Sequence, residues 1–153
     1  MNQNLTDLIK KKQTAIKAGV GIAIDWDERR NNYLLAVDKL YEQVRSILAA
    51  PIEQGDVQTE MRAKDLTENY IGTYTVNDLI LVIGNEQVRF SPRGRNIVGA
   101  AGRVDVIGEG AEAVLIVEPD ERWSFVQTRQ PSLKTVPFDE VALAEVLDRV
   151  MRD

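Results

Sequence analysis

The sequence predicts an α+β fold: a curved, mainly antiparallel sheet or small barrel of about seven strands, with a long N-terminal helical pair and a C-terminal amphipathic helix. Three observations carry this. Apolar residues recur at three- and four-residue steps between residues 25 and 49, alternate with polar ones after Gly55, and return to the helical period after Pro137. Between the two helical regions, short apolar runs are separated by Gly, Pro and Asn at roughly 8–12-residue spacing, the pattern of a meander that curls.

Residues 4–18 read as a first helix, with Asn4 or Thr6 as cap, Asp7 near the positive end and Gly19 as a stop. Lys10, Lys11 and Lys12 interrupt its apolar set, so it is either a loosely docked terminal helix or a basic arm. The second helix opens on a capping box, Asp25 with Glu28 three residues on. Its stripe is Tyr33/Leu34, Val37, Leu40/Tyr41, Val44 and Ile47/Leu48, and Pro51 is expected to end it. A helix this long has two uses for its stripe: packing across a sheet of its own chain, or pairing with a second copy to give a homodimer through helix 25–49. The heptad-like spacing is too short for a convincing coiled coil and favours packing within the chain.

From Val57 to Lys64, Val57, Thr59, Met61 and Ala63 form the apolar set of a half-buried strand. Tyr70–Val76 is rich in aromatic and β-branched residues, Asn77-Asp78 reads as a turn, and Leu79–Ile83 as a central strand covered on both faces. Gly84-Asn85 has the chemistry of a two-residue hairpin turn leading to Val88 and Phe90. Pro92-Arg93-Gly94 and Gly99–Gly102 are expected to break the chain. Val104/Val106, Ala113–Val117 and Trp123–Val126 then give three more strands, with Trp123 and Phe125 as core anchors on one face. Residues 129–137 read as a loop. The last helix, 138–152, carries the stripe Val141, Ala144, Leu147 and Val150/Met151, widened by Leu143 and Val146. With no repeat and no linker, the chain reads as a single domain over 1–153: a helical segment (1–50), a β meander (55–128) and a closing helix (138–152).

Composition narrows the function classes. The net charge of −5 argues against bulk attraction to nucleic acid or anionic membranes, while leaving room for a local basic site. With no Cys there are no disulfides or thiolate chemistry; with no His, the usual neutral-pH base, the Ser-His-Asp triad and imidazole metal sites are missing. The apolar runs are too short to span a bilayer, and Gln13 and Thr14 follow the lysines where a signal peptide would be apolar. A cytoplasmic protein is therefore expected, with no cofactor, no metal site and no catalytic residue assigned.

The segment Glu86–Thr128 divides its charge by position. Arg89, Arg93, Arg95 and Arg103 come with no acid among them, and Asp105, Glu109, Glu112, Glu118, Asp120 and Glu121 follow with no base among them. Guanidinium groups bind carboxylates and phosphates bidentately, so the four arginines are the candidate contact for an anionic or acidic partner. Two plainer uses stand beside this one: a solvated face, and pairing of the arginines with the acids across neighbouring strands. Gly99-Ala100-Ala101-Gly102 is not read as a phosphate loop, because its flanks are extended. The expected function is a non-enzymatic protein-interaction or accessory module. The alternatives are a nucleic-acid-binding accessory protein using the same arginines, and a carboxylate-based, metal-dependent enzyme resting on Asp105, Glu109 and Glu112.

Overall fold

The computed structural model describes residues 25–94 and 101–152, so the expected first helix, Arg95 and the Gly99-Ala100 half of the Gly99–Gly102 break lie outside the described residues. One antiparallel seven-stranded sheet runs in chain order: β1 (Val57–Glu68), β2 (Gly72–Ile83), β3 (Glu86–Gly94), β4 (Gly102–Ile107), β5 (Glu112–Val117), β6 (Trp123–Thr128) and β7 (Lys134–Pro137). It is an open sheet: β1 and β7 are its two edges. Helix α1 (Trp26–Ile47), the short α2 (Ala49–Glu53) and α3 (Glu140–Val150) complete the fold.

Helix α1 starts where the capping box places it, with the Asp25 carboxylate accepting from the Glu28 amide at 3.0 Å. Its buried residues, Tyr33, Ala36, Val37, Leu40, Tyr41 and Val44, meet the sheet face that carries Val88, Phe90, Val104, Val106, Leu115 and Phe125. The stripe is therefore consumed within the chain, as the spacing favoured, and pairing of two copies through α1 would have only its outer side, with exposed Leu35, to use. Pro51 does not end the helix directly. The break falls at Leu48, because a proline ring at 51 would clash with the carbonyl four residues back, that of Ile47. Pro51 itself sits in the first turn of α2, where the missing amide has no helical partner to lose.

Polar atoms fix α1 to the sheet as firmly as its stripe does. The Tyr33 hydroxyl donates to the Arg103 carbonyl at 2.6 Å and accepts from the Gly94 amide at 3.0 Å. The Tyr41 hydroxyl lies 2.7 Å from the Asn77 carbonyl and 3.2 Å from that of Phe90, and the Trp123 indole N–H donates to the Ala36 carbonyl at 2.9 Å. Gly102 on β4 is what lets the helix approach so closely: a Cβ there would lie 2.4 Å from the Tyr33 ring, which its two hydrogen bonds hold in place. Gly102→Ala is accordingly expected to cost about 1–3 kcal/mol by overpacking, read as a lowered urea midpoint at unchanged slope.

Three sequence expectations need correction. Asn77-Asp78 is not a turn: β2 runs through it, and the turn falls at residues 69–71, with Tyr70 at φ 70°. Residues 129–137 are not all loop, since Lys134–Pro137 is an edge strand against β6. One strand lost and one gained leave the total at seven. On α3 the buried set is Ala142, Leu143, Val146 and Val150, whereas Val141 is 77% exposed. Leu143, Val146 and Val150 of the expected set are buried with Ala142, Val141 and Ala144 face outward, and Asp139 caps the helix by accepting from the Ala142 amide at 2.8 Å.

The expected half-buried strand at Val57 is also different. Only Val57 of its apolar set is buried, and Met61 and Ala63 are exposed, because β1 is an edge. β2 pairs with β3 only over Leu79–Ile83, so beyond it β1 and β2 form a two-stranded arm. Two-stranded ribbons twist strongly. The arm turns the opposite set, Tyr74, Val76 and partly Leu66, toward the core, and its tip stacks Tyr70 on Trp26 at 5.3 Å.

Candidate functional site

The arginines sit on the sheet face opposite the helices. Along β3, Val88 and Phe90 point to the core, so Arg89, Ser91 and Arg93 point away from it; on β4, Val104 and Val106 are core and Arg103 and Asp105 are not. The Pro92-Arg93-Gly94 break is a β-bulge rather than a strand end: Pro92 pairs with Val104 and Gly94 with Arg103, leaving Arg93 as the extra residue. Gly94 can take φ +100° there, and a Cβ would collide with the Glu68 carboxyl carbon at 2.5 Å. The bulge re-aims Arg93 toward β4.

There it meets Arg103 on a single carboxylate. Asp105, only 4% exposed, accepts from Arg93 Nε at 3.0 Å, Arg103 Nε at 2.6 Å and Arg103 Nη2 at 3.2 Å. Cross-strand pairing of arginine with acid is thus realised at Asp105. Of the remaining acids, three sit on turns and use other cations or amides: Glu121 with Lys39, Asp120 with Arg122, and Glu109 with the Gln87 amide and Arg152. Arg122, donating to Asp120, holds that carboxyl below the usual carboxylate range. Arg89 is exposed and borders a depression with Asn85, Gln87, Ile107, Gly108 and Glu109. The structure brings Arg93 and Arg103 together, sets Arg89 on the same face about 13 Å along β3 from Arg93, and leaves Arg95 outside the described residues.

The polar seam extends further than the arginines. Ser91 lies opposite Asp105 in the β3–β4 register, and its hydroxyl accepts from Lys64 Nζ at 2.6 Å. The same ammonium is 2.8 Å from Asp78 Oδ1. That oxygen has close ionic contact but no hydrogen bond of good angle, so the pair is held by charge more than by direction. A lysine between a serine and a carboxylate invites comparison with a Ser–Lys nucleophile pair, yet here the lysine donates to Ser91 while paired to Asp78, which offers the hydroxyl a donor and not a base. Lys64, Asp78 and Ser91 escaped the sequence reading because Asp78 beside Asn77 looks like a turn. The signal that could have found it is an acid directly abutting the wholly apolar run Leu79–Ile83.

Asp105, Glu109 and Glu112 do not converge: the first is occupied by two guanidinium groups, the second lies in the β4–β5 turn, and the third opens β5. Among the described residues no three carboxylates are grouped so as to hold a metal ion. A groove of about 220 Å³ lined by Arg29, Tyr33, Ala36, Val117 and Pro119 lies along α1, away from the arginine face. No helix among the described residues is long and apolar enough to cross a membrane. Set against protein-family models, curated protein sequences and solved structures, the chain matches none.

Proposed function

We propose that the chain is a non-enzymatic interaction module whose arginine face, Arg89, Arg93 and Arg103, contacts an acidic segment of a partner protein. The observation that carries the reading is two guanidinium groups sharing one buried carboxylate while their own side chains stay 49% and 32% exposed. Asp105 can satisfy only part of their roughly ten N–H donors, and one positive charge is left over at a fixed place. Its Asp105 hydrogen bonds preorganise the pair, so little side-chain entropy is lost on meeting a second carboxylate. Arg89 extends the surface. An acidic peptide is favoured over nucleic acid because the chain carries −5 overall, which opposes the long-range attraction that a polyphosphate depends on. The cytoplasm is the setting that fits a chain without cysteine.

The test uses a fluorescein-labelled glutamate-rich peptide and, separately, a single-stranded oligonucleotide of equal length. Peptide binding is expected at low ionic strength, to weaken with salt, and to fall at least fivefold in Arg89→Gln/Arg93→Gln, a double change that leaves Arg103 on Asp105 and so keeps the fold. No peptide binding, or binding unchanged in the double variant, would sink the proposal. Tighter binding of the oligonucleotide would replace it with the nucleic-acid reading.

A further inference from the structure

We propose that β1 is a self-pairing edge: two copies of the chain join antiparallel through β1, with Met61 on the two-fold axis, to form one continuous sheet. The edge is unusually available. β1 is twelve residues long, pairs only with β2 among the described residues, and keeps an unbroken register without bulge or proline. Residues 58–63 are all exposed, so neither face of the strand is covered there. The other edge, β7, is four residues long and ends in Pro137, the usual way of blunting an edge.

The charges on β1 decide the occupant and the register. In an antiparallel pair related by a two-fold axis, residues directly opposite share a face, so the axis passes through one residue of each copy. With the axis at Met61, Glu60 lies opposite Arg62 of the second copy and Arg62 opposite its Glu60, while Gln58 faces Lys64 and Thr59 faces Ala63. An axis at Glu60 sets Glu60 against Glu60; one at Arg62 sets Arg62 against Arg62; one at Ala63 sets Arg62 against Lys64. Like charges directly opposite destabilise a ladder and opposite charges stabilise it. Only the Met61 axis among these central registers is matched throughout. It also buries Met61, now 40% exposed, against its own copy, and it turns the existing Glu60–Arg62 pair at 3.1 Å into an alternating cluster of four charges. The outward N–H and C=O groups of the edge, which have no ladder partner among the described residues, supply the new ladder.

The experiment combines sedimentation equilibrium with cysteine cross-linking, which is clean because the chain has no native cysteine. The wild-type chain is expected to dimerise. Glu60→Arg should weaken the dimer tenfold or more, and Glu60→Arg/Arg62→Glu should restore it, since the swapped pair is again self-complementary. Met61→Cys should cross-link to dimer under mild oxidation, whereas Thr59→Cys should not, because the two copies of residue 59 lie about 13 Å apart in this register. A monomeric wild type, a dimer indifferent to Glu60→Arg, or cross-linking at 59 rather than 61 would each overturn the proposal. The cysteine arm decides the matter on its own if the charge variants fold poorly.

Discussion

Asp105→Ala should lower the unfolding free energy by about 2–3 kcal/mol, below the usual cost of breaking a fully buried pair because both arginines reach solvent. The carboxylate is the common acceptor for Arg93 and Arg103, and removing it leaves two guanidinium groups side by side on adjacent strands with nothing between them. Arg93→Gln alone should cost much less, since Arg103 still satisfies Asp105 through two of its nitrogens. Urea unfolding of the two variants separates these cases. If Asp105→Ala unfolds at the wild-type midpoint, Asp105 does not hold the arginines in place, and the preorganisation on which the proposed contact rests is lost. If the contact is real, the same variant should also bind the glutamate-rich peptide more weakly, because the two guanidinium groups are no longer held in place by Asp105.

Above pH 10 the fold should lose up to about 2.7 kcal/mol per pH unit through Tyr33 and Tyr41 together, at 1.36 kcal/mol for each. Burial pushes both phenols well above their ordinary value of 10.0. Unfolded, they ionise near pH 10; folded, they keep their protons. The folded state therefore binds more protons at high pH, and stability that is fully present below pH 10 is lost as pH climbs beyond it. Tyr33→Phe and Tyr41→Phe should each remove about half of that slope, measured as the pH dependence of the urea midpoint between pH 9 and 11.5. Near neutrality each should still cost about 1–2 kcal/mol, because the Tyr33 change strands the Arg103 carbonyl and Gly94 amide, and the Tyr41 change strands the Asn77 carbonyl. A parallel pH profile in wild type and variants would show that the hydroxyls ionise as freely in the fold as outside it.

These tyrosines also show how a local pattern understates a residue. Periodicity places Tyr33 and Tyr41 on the apolar stripe of α1, and both are buried there. Nothing in the spacing says that their hydroxyls reach backbone atoms of β2, β3 and β4, since those partners lie 36 to 70 residues away along the chain. The arginines follow the same course. Their clustering was visible as a charge bias in sequence; that two of them would close on Asp105 depended on a one-residue bulge at Arg93, which the Pro92-Arg93-Gly94 triplet announced only as a break.

Local chemistry and periodicity are enough for the class of fold, the start of α1 at its capping box, the inner strand Leu79–Ile83 (fully buried only through Leu81), the hairpin at Gly84-Asn85 and the anchoring roles of Trp123 and Phe125. Each of these is set by contacts within a few residues or by a period that burial enforces. Long-range packing set the rest: that β2 passes through Asn77-Asp78, that α3 leaves Val141 outside the buried set, and that β1 is an edge among the described residues. In every such case the local pattern allows more than one solution, and the choice fell to a partner distant in sequence. Lys64 reached Asp78, the sheet took Leu143 and Val146 but not Val141, and among the described residues β1 pairs with β2 alone.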